Sequence, residues 1–216
     1  MSELRTDEEQ AEIIKKWWSE NGTSLLTTIA VAVAGVVGWN TWQDNKQATG
    51  EAASAVYTQL VELSAQDSDA NSVEMQTLAE QLKGEFADTA YGDFGGLFIA
   101  RIAADKGDFD AAATELKALA DTAENPAVKS IAQARLASVL NEQGKADEAL
   151  AALPAKADAA FAPQIEEARG DALFLKGELA DARDAYLRAM EAAQTLGQTN
   201  NTLQRKIDSL KTGGDA

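Results

Sequence analysis
The chain changes its hydrophobic pattern once. From Asn21 through Trp39 it carries no charge, and the first charged residue afterwards is Asp44. At the α-helical rise of about 1.5 Å per residue, Trp18 to Trp39 spans roughly 31 Å, close to the hydrocarbon thickness of a bilayer. Beyond this run, apolar residues recur at helical spacing, as in Val56, Leu60, Leu63 and in Leu116, Leu119, Ala120, Ala123. β-Branched runs are scarce, and Pro126, Pro154 and Pro163 punctuate the apolar segments rather than interrupt them. The pattern predicts an all-α chain, with one N-terminal transmembrane helix followed by a helical domain.

The four tryptophans mark the ends of the span. Trp17 and Trp18 precede it, Trp39 and Trp42 close it, and an amphipathic indole prefers the headgroup level, so all four are read as membrane-interface anchors. Thr27, Thr28, Gly35 and Gly38 dilute its hydrophobicity. Arg5, Lys15 and Lys16 lie before the span and only Lys46 lies close after it, which predicts a cytoplasmic N-terminus and an exported C-terminal domain. A cleaved signal peptide is the alternative, since Ala30-Val-Ala and Ala32-Val-Ala have the small residues of a cleavage site. The apolar stretch that continues past Ala34 to a second tryptophan pair favours an uncleaved anchor.

Within the helical domain the sequence repeats. Lys106-Gly-Asp-Phe-Asp-Ala-Ala, Gln143-Gly-Lys-Ala-Asp-Glu-Ala and Lys176-Gly-Glu-Leu-Ala-Asp-Ala each hold a glycine with an alanine five residues on. Gly107, Gly144 and Gly177 are spaced at the 33–37-residue period of a helix-turn-helix repeat. Each glycine suits the left-handed residue that ends a first helix. Small residues seven before it (Ala100, Ala137, Gly170) and five after it (Ala112, Ala149, Ala182) let paired helices approach. Leu116, Leu153 and Tyr186, nine after each glycine, are expected to fill the second helix, and Phe109 and Leu179 to seal two of the hairpins. Thr49–Ala65 and Ser72–Gly84 read as a preceding hairpin around an Asp67–Asn71 loop, serving as a degenerate repeat or a cap. Asn200–Lys211, with Leu203, Ile207 and Leu210 on one stripe, reads as a closing helix.

The organisation expected is therefore a cytoplasmic tail (1–20), a transmembrane helix (21–42), a linker and N-terminal hairpin (43–92), three tetratricopeptide-like repeats (93–199), and a capping helix and tail (200–216). In such an array the first helices line a concave surface. Placed on that surface, Phe94, Leu97 and Arg101, then Ala134, Ser138 and Asn141, then Glu167, Asp171 and Phe174 are the candidate protein-binding residues.

Composition narrows the chemistry. Three of the 19 basic and six of the 35 acidic residues fall in the first 42, so the remainder holds 16 and 29, a net charge of −13. Such a domain repels nucleic acid. The chain has no cysteine and no histidine, which removes thiolate chemistry and the commonest general base and metal ligand. No catalytic residue, metal site or cofactor is expected, although carboxylates alone remain able to serve as a glycosidase pair. Asp67, Asp69 and Asn71 imitate the start of a calcium loop, but no glycine stands at the sixth position and the twelfth is Leu78. Glu166, Glu167, Asp171, Asp181 and Asp184, interspersed with Arg169, Lys176, Arg183 and Arg188, read as a solvated, ion-pair-laced face.

The repeat pattern of residues 93–196 resembles the tetratricopeptide repeat. It departs from it at Gly96, Gln133 and Glu166, where a large residue is usual, at Arg169, and in the late placement of Pro126 and Pro163. The opening Thr6-Asp-Glu-Glu-Gln-Ala-Glu-Ile-Ile-Lys-Lys-Trp-Trp, the stretch Phe94–Leu153 and the ending Leu-Gln-Arg-Lys-Ile-Asp-Ser-Leu are similar to the YfgM family of Gram-negative bacteria. That resemblance implies a non-enzymatic, single-pass inner-membrane protein with a periplasmic domain. It further implies an ancillary role at the SecYEG translocon, a partnership with the periplasmic chaperone PpiD on exported client proteins, and a link to envelope-stress signalling. The alternative is a structural membrane scaffold whose contacts run mainly through the transmembrane helix, for instance at Gly35 and Gly38.

Overall fold
The computed structural model describes residues 7–66 and 71–212. Arg5, Thr6, Asp67 and Asp69, which entered the orientation, resemblance and calcium-loop readings, lie outside them. The described residues form helices α1 (Asp7–Ser64), α2 (Ser72–Glu85), α3 (Ala90–Asp105), α4 (Phe109–Thr122), α5 (Pro126–Glu142), α6 (Ala146–Ala152), α7 (Ala162–Leu175), α8 (Leu179–Thr195) and α9 (Asn201–Thr212). No strand occurs among them, and the fold is all-α. The chain divides into two compact units, Met1–Glu51 and Ala52–Ala216.

In the first unit, α1 holds the only window among the described residues that is long and apolar enough to cross a membrane. Val31, Val33, Val36 and Val37 are all more than half exposed, so the apolar surface has no protein covering it. The Thr27 and Thr28 hydroxyls donate to the carbonyls of Thr23 and Ser24 at 2.8 and 2.9 Å, which satisfies them inside the helix. The expected break after residue 42 is absent: Asp44 to Gly50 is helical. Lys46, Gln47 and Ala48 favour helix, and one glycine at position 50 costs only about 1 kcal/mol.

In the second unit the turns explain the hairpins. Gly107, Gly144 and Gly177 have φ of 77°, 72° and 79°, and each closes its helix with the same pair of bonds. The glycine N–H donates three residues back and the next N–H donates five back, as in Asp108 to Ala103 at 2.9 Å. Gly197 (φ 70°) ends α8 in the same way and lay outside the threefold pattern read from sequence. Side-chain caps start the helices that follow: Asp108 accepts from the Ala111 N–H, and Asn125 from Ala127 ahead of Pro126.

Small residues then set the helix spacing. Ala112, Ala137, Ala149 and Ala182 are fully buried and Ala100 nearly so. A Cβ added at Gly170 would run into the Tyr186 ring, and one at Gly95 would stand 2.6 Å from the Ala79 carbonyl oxygen. Gly96, a departure from the usual large residue, leaves room for the Leu119 methyls and the Glu115 carboxylate.

The structure corrects two packing expectations. Leu153 is buried, but it caps α6 rather than filling it: Pro154 drives the residue before it to extended backbone (ψ 140°), so the second helix of this repeat is seven residues long. Leu179 is 42% exposed and seals nothing, whereas Phe109 does pack on the core.

Candidate peptide-binding cleft
Helices α5 and α7, the first helices of consecutive hairpins, bound a cleft of about 440 Å³. Ile131, Ala134, Arg135 and Ser138 come from α5; Gln164, Glu167, Ala168 and Asp171 come from α7; Ala160 and Phe161 close it from the connecting segment. The α5 residues fall at i, i+3, i+4 and i+7 from Ile131, one stripe of the helix. Four of the nine candidate residues, Ala134, Ser138, Glu167 and Asp171, line this cleft.

The other five lie elsewhere. Leu97 is buried in the main core, as is Ala134 at the cleft floor, so neither presents a free side chain. Asn141 is buried and donates to the Ala168 carbonyl at 3.0 Å, tying α5 to α7. Phe94 joins an aromatic group with Tyr57 and Tyr91, ring centroids 5.4 and 6.1 Å away, and Tyr57 also faces Phe98. Arg101 is exposed and pairs loosely with Asp105 at 3.6 Å. Phe174 is half exposed. Ile131 and Gln164 stand thirteen residues before Gly144 and Gly177, as Phe94 does before Gly107, so one offset applied to all repeats would have found them.

The acids of α7 are ion-paired, as their alternation with cations suggests, but they are partly buried rather than solvated. Lys206 of α9 donates to Glu167 at 2.9 Å and to both Asp171 oxygens at 2.7 and 2.9 Å, and the Tyr186 hydroxyl donates to Asp171 at 2.8 Å. Glu166 bridges Arg169 at 3.3 Å and Arg188 at 2.8 Å, and Arg169 also donates to the Pro154 carbonyl at 2.6 Å. The Lys206, Tyr186 and Arg188 bonds join different helices of the array, which sequence alternation alone does not reveal, while Glu166–Arg169 lies within α7. Burial opposes the charge on Lys206, but its bonds to Asp171 and Glu167 outweigh that and raise its pKa above the usual 10.5. Burial, then the bond to Asp171, pushes the Tyr186 phenol up as well.

Arg135 differs. It forms no ion pair among the described residues, and desolvation followed by repulsion from Arg101 lowers its pKa from the ordinary arginine value. A second depression, about 590 Å³ between α4, α5 and α6, pairs Lys117 with Asp121 at 3.4 Å and Lys145 with Asp110 at 3.7 Å, and is lined by Lys129 and Glu148 as well.

The tryptophans expected as interface anchors are all exposed on α1 by about half or more. Trp39 and Trp42 lie 5.1 Å apart, with the Lys46 ammonium 4.7 Å from the Trp42 ring.

Stacked helical hairpins with their first helices side by side around an open cleft define a tetratricopeptide-type repeat protein, here preceded by an apolar helix that anchors it to a membrane. Residues 15–212 match the family described as a tetratricopeptide repeat-like domain. Three curated proteins, each called an ancillary SecYEG translocon subunit, are similar over nearly the whole chain. The protein of Haemophilus influenzae is 30% identical over 88% of this chain and 93% of its own length. That of Escherichia coli is 28% identical over 97% and 99%, and that of Neisseria gonorrhoeae 29% identical over 94% and 98%. The chain belongs to this tetratricopeptide repeat-like family and, within it, to the YfgM family.

Proposed function
We propose that this chain is a non-catalytic protein-binding module of the SecYEG translocon, held in the inner membrane by residues 21–42, with residues 1–20 in the cytoplasm and the repeats in the periplasm. The observation that carries the reading is the open cleft between α5 and α7, lined by apolar and polar side chains together, in a chain whose relatives are named as translocon subunits. Its work there is to hold segments of exported proteins, in company with the chaperone PpiD that the family resemblance implies. Extended backbone bound across first helices exposes alternate side chains to such a cleft.

Photocrosslinking in intact cells tests this. A probe at Ser138 is expected to capture translocon or exported polypeptide, with weaker adducts from Phe174 and few from Phe94, which Tyr57 already covers. Adducts from Val33 alone would instead establish the scaffold reading.

A further inference from the structure
The cleft is polarised, and the polarity names its occupant. On α7, Glu167 and Asp171 are drawn onto Lys206, and Asp171 also accepts from Tyr186. Ser138 and Gln164 are neutral. Arg135 is the one charged group lining the cleft that has no opposite charge beside it among the described residues, and the charged neighbour it feels is a second cation, Arg101. An exposed guanidinium on a cleft wall offers a carboxylate two parallel hydrogen bonds.

Beside it, Ile131 and Phe161 are the large apolar residues of the lining, with Ala134, Ala160 and Ala168. Ile131 and Arg135 are one helical turn apart on the same stripe, about 6 Å along α5. In an extended strand, residues two apart point to the same face and are separated by about 6.6 Å. The two spacings match.

We propose that the α5–α7 cleft takes an extended segment of polypeptide carrying an apolar residue and an acidic residue two positions apart, the apolar side chain over Ile131 and Phe161 and the side-chain carboxylate on Arg135. This deepens the binding-module reading and rests on it. Arg101, on the neighbouring first helix, is paired with Asp105 at 3.6 Å, which leaves Arg135 as the cation open to the acid.

The test uses the full chain in detergent micelles and a fluorescein-labelled, seven-residue peptide with an amidated C-terminus and Phe-Thr-Glu at its centre. A second peptide carries Gln in place of the Glu. Fluorescence anisotropy is expected to show the Glu peptide binding at least about tenfold more tightly than the Gln peptide, with the preference shrinking as salt is raised. Arg135→Gln abolishes the preference for the Glu peptide, while Arg135→Lys retains part of it. Both variants alter an exposed side chain, and circular dichroism confirms that they fold. Equal binding of the two peptides, binding of neither, or discrimination that survives Arg135→Gln would overturn the assignment. So would displacement of the Glu peptide by anionic phospholipid vesicles but not by excess unlabelled peptide, which would give Arg135 to a membrane surface. Adducts from Ser138 in cells together with equal binding of both peptides would remove the carboxylate preference and leave the binding module standing. Loss of those adducts removes the module itself.

Discussion
Single residues decide how closely the helices sit. Gly170 faces the Tyr186 ring, which is 3% exposed and tethered through its hydroxyl, so the ring has nowhere to move. Gly170→Ala is expected to cost about 1–3 kcal/mol through overpacking, a fall of roughly 2–10 °C in Tm. Gly84, with nothing within 4 Å of an added Cβ, is the control: Gly84→Ala leaves Tm unchanged or raises it slightly. A Gly170→Ala protein as stable as the parent would mean that this contact does not set the spacing. Lys206 gives a pH signature. Its pKa is raised in the folded state, so the stability it contributes is complete below about 10.5 and is lost as pH rises through the higher folded value; Tyr186 acts in the same direction above 10.0. Melting followed from pH 8 to 11.5 is expected to fall on the alkaline side of 10, and less steeply in Lys206→Met. The positions of Gly170 and Ala182 were legible as a repeated offset from Gly177. The partner of Lys206 was not, because ion pairs 35 and 39 residues apart carry no local pattern.

At the scale of elements, chain chemistry sets each helix end but not what covers each face. Four glycines at positive φ end four helices, and Pro154 truncates α6 to seven residues. Helix α9 shows the other side. Leu203 and Ile207 are buried against Ala182, Tyr186 and Ala189, and Asn200 caps α9 by accepting from the Leu203 N–H at 2.9 Å. Burying two such side chains contributes roughly 3–6 kcal/mol. Deleting residues 200–216 is therefore expected to lower Tm and to raise binding of a hydrophobic dye, since the outer face of α8 is then bare. An unchanged melting curve would show that α9 is not a working cap. The apolar stripe of α9 and its closing place after the last repeat were readable in sequence; the bonds from Lys206 that tie it to Glu167 and Asp171 of α7 were not.

For the whole molecule, absence of cysteine makes topology directly measurable. In single-cysteine variants, Gln198→Cys is expected to react with a membrane-impermeant maleimide in cells with a permeabilised outer membrane, and Glu9→Cys only after lysis. Labelling of Glu9→Cys in intact spheroplasts would reverse the proposed orientation. The uncharged run between tryptophan pairs and the spaced Gly and Ala residues specify the helices and their hairpins by themselves, because rise per residue, left-handed glycine and proline sterics act within a few residues. Only the tertiary structure separated Ser138, which lines an open cleft, from Leu97 and Asn141, which are buried. It alone left Arg135 without an acid while Lys206 took two. Burial and charge pairing depend on which helices become neighbours across 30 or more residues, and a helical stripe states only that a face will be covered, not by what.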